Sequence, residues 1–209
     1  GAARLPSRSL GIAGVLASGV FMIVSVSAFR HDPHAHALDR SSGTGGFALL
    51  AQTTLPVYED LNNPEARATH GLDGQVMRHV SVVGMRVRDG DDASCLNLNR
   101  AQQPRVLAVR PEDFQRRRSF GGEWRLLDEP QADGAVPALG DEATVRWALG
   151  KKVGDTIAYV DERGNSFDLR IVDIIPNSIL QGSLVISESN FIARFPSRGT
   201  PFCSVNKSF

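Results

Sequence analysis

Gly150-Lys151 resembles the end of a phosphate-binding loop, in which backbone amides cradle phosphates, a Lys adds charge and a following Ser or Thr holds magnesium. That motif needs a glycine five residues before Gly150 and a hydroxyl after Lys151. Val145 and Lys152 occupy those positions, so no nucleotide site follows. Arg88-Asp89-Gly90-Asp91-Asp92 clusters hard oxygen ligands of the kind calcium takes. Counted from Asp89, however, the sixth and twelfth loop positions are Ser94 and Arg100 where a calcium loop needs Gly and Glu, and an exposed turn is expected. His31, His34 and His36 are spaced closely enough to share a transition metal, yet no cysteine or second histidine pair lies nearby. They read as a solvated linker. Arg116-Arg117-Arg118 would suit a phosphate, but basic residues at a helix carboxyl end need no ligand. The sequence contains no G-x-S-x-G elbow, no H-E-x-x-H helix and no C-x-x-C pair. No catalytic, cofactor-binding or metal-ligating residue is therefore assigned, and the expectation is a chain that is not an enzyme and carries no cofactor.

Charge and cysteines bound the partners and the compartment. Lys plus Arg and Asp plus Glu both number 23, which leaves no basic surface to suggest nucleic acid as a partner. Cys95 and Cys203 are the only cysteines. In an oxidising compartment their pairing would close a long loop, worth about 4–5 kcal/mol in the chain-entropy model. Two unpaired buried thiols fit the sequence equally well.

The element that positions everything else is an uncharged apolar run over residues 10–29. At about 1.5 Å per residue, a helix of that length covers the roughly 30 Å hydrocarbon core of a bilayer. Gly14 and Ser18 form a small-xxx-small pair suited to close helix packing in a membrane. Arg4 and Arg8 precede the run and Arg30 follows it, a slight bias toward a cytoplasmic amino end, with the main domain beyond the membrane. Two other readings weigh against a span. A basic start and Val26-Ser27-Ala28 fit a cleaved signal peptide, although the run exceeds the usual signal length. A buried helix of a soluble protein is the other, although such helices seldom lack a polar face for so long. Lacking an initiator Met, the chain reads as cut from something larger.

The expected organisation is an amino-terminal segment with the spanning helix (1–30), a flexible linker (31–46) ending in Ser41-Ser42-Gly43-Thr44-Gly45-Gly46, and one α+β domain or two lobes (47–209). Within the domain, residues 47–52 read as a short buried strand and 57–75 as irregular, with one helical turn at 58–61. Residues 80–88 alternate as a half-buried strand whose phase slips at Val83-Gly84, the sign of a bulge. Residues 106–109 form an apolar run, and 111–118 a short helix with Pro and acids first and Arg last. Pro137 suggests that 135–140 is an edge strand. Asp141 caps a helix over 142–149 that Gly150 ends. Residues 156–160 and 166–175 form a β-hairpin, 183–186 a strand, and Ser187 caps a helix over 188–194.

This order of parts resembles the first membrane helix and periplasmic core domain of a MacB/FtsX-like permease subunit of an ABC transporter. The resemblance lies in the apolar run, in Leu149-Gly150-Lys151-Lys152-Val153-Gly154-Asp155-Thr156-Ile157, and in Asn177-Ser178-Ile179-Leu180-Gln181-Gly182-Ser183-Leu184-Val185-Ile186-Ser187-Glu188 before Phe191 and Phe195-Pro196. Residues 57–130 match only in general character. The resemblance implies a cell (inner) membrane protein with a periplasmic main domain. It also implies a cytoplasmic ABC ATPase subunit, the lipid bilayer and a second permease in a homo- or heterodimer as partners. The work implied is substrate export, lipoprotein extraction or mechanical signalling. Two rivals from other classes are a secreted hydrolase using carboxylates with His70 or His79, and an anchored binding or sensor module.

Overall fold

The computed structural model describes residues 6–28, 39–72, 74–90, 103–197 and 200–207. Helix α1 (Pro6–Ala28) contains a 19-residue window, Leu10–Ala28, of mean hydropathy 2.1. It is the one described helix long and apolar enough to cross a membrane, and a signal sequence would meet the same criteria. Its Ser18 hydroxyl donates to the Gly14 carbonyl at 2.7 Å. The polar atom of the small-residue pair is thus satisfied inside the helix itself, as an apolar solvent requires.

Residues 37–209 form a second unit. Among the described residues, eight strands make its sheet: β1 (Leu49–Val57), β2 (Val80–Arg88), β3 (Arg105–Val109), β4 (Val136–Asp141), β5 (Thr156–Val160), β6 (Ser166–Ile175), β7 (Ser183–Ser187) and β8 (Thr200–Lys207). Their spatial order is β1-β8-β2-β3-β7-β4-β6-β5. The six strands from β2 to β5 form a mixed sheet, in which β3 runs parallel to β7 and β4 parallel to β6. β2 belongs to two ladders. Its first six residues pair with β8 and its last three with β3.

Consecutive residues of the central strands feed two separate cores. Leu107, Val109 and Val185 pack into one cluster, while Val106, Ala108, Leu184 and Ile186 pack into the other. A sheet covered on both faces needs apolar side chains at odd and even positions alike, which is why these strands read as unbroken apolar runs. The first core is closed by aromatic rings from α3 (Pro111–Arg117) and its surroundings, with Phe114 and Trp124 at 4.6 Å between centroids. The second core is closed by Phe191 on α4 (Glu188–Arg194) and by Phe195 beyond it.

The mixed α/β class, the hairpin of β5 and β6, and α4 with its Ser187 cap match the sequence expectations; Ser187 Oγ accepts from the Asn190 amide. Several local expectations do not match. β4 is a central strand with every residue buried. Pro137 is tolerated because the β4–β7 ladder pairs only Leu139 and Gly140, leaving no β7 partner opposite the proline. The β2–β8 register shows no bulge at Val83-Gly84. The phase slips because Val82 is buried as well as Val83, on a strand where the Asn62 side chain bonds both the Val82 amide and its carbonyl.

Residues 57–75 include α2 (Pro64–Thr69), capped by the Asn63 side chain. Phe47 precedes β1 and fills the first core. Residues 39–46, the described end of the glycine-rich stretch, are folded onto the domain: the Phe120 amide donates to Arg40 O, and the Ile179 amide to Gly43 O. Gly45, at φ 63°, has the Phe120 ring 2.5 Å from where a Cβ would sit. Its glycine is there for close approach more than for looseness.

Candidate interaction site

The helix expected over 142–149 is a π-helix, Ala143–Ala148. The Leu149 amide reaches back five residues to Thr144 O, at 2.9 Å. Single π-turns are rare and recur at functional sites, and three side chains fix this one. Asp141, 2% exposed at the end of β4, accepts from the Ala143 amide through one carboxylate oxygen at 2.8 Å. Its other oxygen accepts from the Ser178 amide at 2.6 Å and the Ser178 hydroxyl at 3.0 Å. Buried Thr144 accepts from the Gly182 amide at 2.7 Å. The turn crosses β4 at Gly140, where a Cβ would lie 2.5 Å from Val145 Cγ2 and 3.0 Å from Leu184 Cδ2. A larger residue there would lift the turn off the strand.

With Val145 fully buried, the residue two positions on must face the other way. That residue is Trp147, 83% exposed. An indole displayed on a turn so tightly held presents a large rigid contact at little cost in entropy, the residue type and setting of interface hot spots. The sequence signal for it was the Val145-x-Trp147 spacing within one helix. Glu142 and Arg146 pair at 2.7 Å beside it. Segments 149–157 and 177–188 meet around this turn: Gly150, at φ 63°, follows it, and Ser178 and Gly182 hold it down.

The residues singled out for chemistry are dispersed. The Lys151 amide donates to Val145 O at 2.8 Å, reaching back six residues across left-handed Gly150, so it closes the end of the turn. Asp89 pairs with Arg105 at 3.3 Å, while Asp91 and Asp92 lie outside the described residues, as do His31, His34, His36 and Cys95. Cys203 lies in β8 opposite Ala51 and Gly84. His79 is exposed at the end of a 3-10 helix, Gln75–His79. Among the described residues, no three His, Cys, Asp or Glu side chains cluster as a metal site would need.

His70 Nε2 contacts Glu59 Oε2 at 2.8 Å. That hydrogen bond holds the Glu59 carboxyl below its ordinary range, so it stays ionised and is a poor proton donor. Among the described residues, no Ser, Thr or Cys side chain completes the pair as a nucleophile. Nearby, Glu188 receives Arg86 at 2.8 Å and Arg110 at 3.9 Å beside a small cleft of about 150 Å³ lined by Tyr58, Glu59 and Asp60. These ion pairs join α4 to β2 and to the start of α3, and they are structural. No protein-family model and no curated protein matches the chain.

Proposed function

We propose that the chain is the first membrane helix and extracytoplasmic domain of an ABC-type permease. It acts as a moving part driven by a separate cytoplasmic ATPase, beside a second permease, in the cell membrane. In this reading it is not an enzyme; it binds and transmits. The observation that carries the proposal is the meeting of the two permease-like segments, 149–157 and 177–188, around one fixed turn that displays Trp147, in a chain that also has a helix long and apolar enough to span a bilayer. Contact through Trp147 would let a partner push on β4, an interior strand of the sheet, through Asp141 and Gly140.

The test uses the whole chain in detergent and in cells. A reporter fused after Asn206 is active only in a form that works outside the cytoplasm, and the chain retains residues 1–28. Purified chain neither hydrolyses ATP nor is stabilised by it; a nucleotide bound at a hundred times its dissociation constant would add about 2.7 kcal/mol, visible as a thermal shift. A shift with ATP, or a mature amino terminus at Phe29, returns the secreted hydrolase to first place, with the His70–Glu59 pair as its starting point.

A further inference from the structure

The run Arg116-Arg117-Arg118 divides between the first core, which takes Arg117, and one surface groove, which Arg116 and Arg118 both line. Arg116 donates to Asp113 at 2.9 Å. Arg117 lies over the Phe47 ring, 5.0 Å from its centroid, where burial holds its pKa below the usual guanidinium range. Arg118 is exposed, with its backbone in the left-handed region at φ 53°, and it lines a groove of about 620 Å³. Arg116, already paired with Asp113, lines the same groove with Gln115, Arg125, Glu112 and Asp128, and the walls are α3 and the 3-10 helix Trp124–Asp128. A helix carboxyl end explains a basic residue near its last carbonyls. It does not explain a second arginine, on another helix, facing the same space.

The charges in this groove do not satisfy one another. Among the described residues, neither Arg118 nor Arg125 has a side-chain partner, and no cation pairs with Glu112 or Asp128. Partial burial, and next the charge of Glu112, hold the Asp128 carboxyl above its ordinary range, as expected of two carboxylates without a counter-charge. Surface charges are often solitary. These four converge on one concavity of a size that suits a small molecule. An anion alone would meet the carboxylates, and a cation alone would meet the guanidiniums. A ligand carrying both charges answers all four groups, and guanidinium forks match the oxygens of a phosphate.

We propose that this groove binds a zwitterion, its phosphate held by Arg118 and Arg125 and its ammonium by Glu112 and Asp128. Phosphoethanolamine, free or as a lipid headgroup, is the smallest ligand of this chemistry. The proposal stands independently of the permease reading. Calorimetry on the whole chain in a maltoside detergent compares O-phosphoethanolamine with inorganic phosphate and with ethanolamine. The expected result is saturable binding of the first, with each half alone weaker by about tenfold or more, since each loses its charge-assisted hydrogen bonds. Arg118→Asn, which suits the left-handed backbone, and Arg125→Gln each weaken phosphoethanolamine by about tenfold. Combining Glu112→Gln with Asp128→Asn removes the preference over phosphate while leaving phosphate binding in place. A short-chain phosphatidylethanolamine that binds more tightly than the free headgroup, and than its phosphatidylcholine counterpart, identifies lipid as the source; tighter binding of the free molecule identifies a soluble one. Equal affinity for phosphate and phosphoethanolamine, absence of saturation, or affinity unchanged in the double arginine variant overturns the proposal.

Discussion

Replacing Asp141 by Asn keeps the shape of the side chain and removes its charge. The carboxylate accepts from the Ala143 amide through one oxygen, and from the Ser178 amide and hydroxyl through the other. An amide side chain can accept through one oxygen only, and its NH₂ would face a backbone N–H on the opposite side. The Ser178 hydroxyl can turn round and accept, but neither backbone amide can. One buried N–H is therefore left unpaired whichever way the Asn is oriented, and a charge-assisted bond is lost with it. The two effects together come to about 2–4 kcal/mol. Asp141→Ala orphans both amides and leaves a small void, and costs about 3–5 kcal/mol.

The assay can be built on the chain's two tryptophans. Trp124 is fully buried in the first core and Trp147 is exposed, so in a Trp147→Phe background the fluorescence reports Trp124 alone. Urea unfolding followed at Trp124 should show the midpoint fall, with an unchanged slope, when Asp141→Asn is added. A loss below about 0.5 kcal/mol, the range of ordinary surface substitutions, would mean that Asp141 does not hold the π-turn and that Trp147 is not rigidly displayed.

Two further predictions concern the second core and acid. Ile171, on β6 opposite Ala138 of β4, is fully buried in the second core, so Ile171→Ala should cost about 2–5 kcal/mol in the same unfolding experiment; an unchanged midpoint would mean that the phase of β6 is misread. The carboxyls of Glu59, bonded to His70, and Asp133, bonded to Arg170, are both held below their ordinary values. Groups depressed in the folded state contribute stability above their unfolded pKa, near 4.5 and 3.8, and lose it as pH falls through the folded values. Stability should therefore decline below about pH 4.5, and the decline should be shallower in Glu59→Gln and in Asp133→Asn, as read from thermal midpoints between pH 3 and 6.

What the sequence made legible follows from how local each signal was. The hairpin of β5 and β6 carries its own turn chemistry, with the Asp161 carboxylate accepting from the Arg163 and Asn165 amides, and it is found where expected. Ser187 and α4 were legible for the same reason. Pro137 misled because the rule against proline in central strands depends on the extent of the neighbouring ladder, which no local pattern encodes. The helix at 142–149 was placed correctly, but its wider winding was not. Its cause is long-range: Gly140 beneath Val145, and Ser178 and Gly182 contributed from a loop more than thirty residues on. β8 was missed altogether, since its partners β1 and β2 lie far back in the chain and it carries no hairpin turn to announce it. The groove of Arg118 and Arg125 was equally invisible. Its two arginines are seven positions apart on different helices, and only the triple arginine run hinted at it.

The placement of β8 has a mechanical consequence. It runs antiparallel between β1 and β2, so that Leu49, where the chain enters the sheet, is opposite Val205, where the chain is about to leave it. Tension between those two points pulls across the ladder and loads one residue pair at a time, Leu49 with Val205 first and Leu50 with Ser204 next. Ladders opened in this way yield at low force because each step breaks only the hydrogen bonds of one pair, whereas strands drawn past each other along their length must break many together. The β3–β7 and β4–β6 ladders deeper in the sheet do not lie between those two points. A modest pull would therefore peel β1 from β8, drawing Leu50 away from the first apolar cluster while leaving the second intact, so that the sheet gives first at its β1 margin.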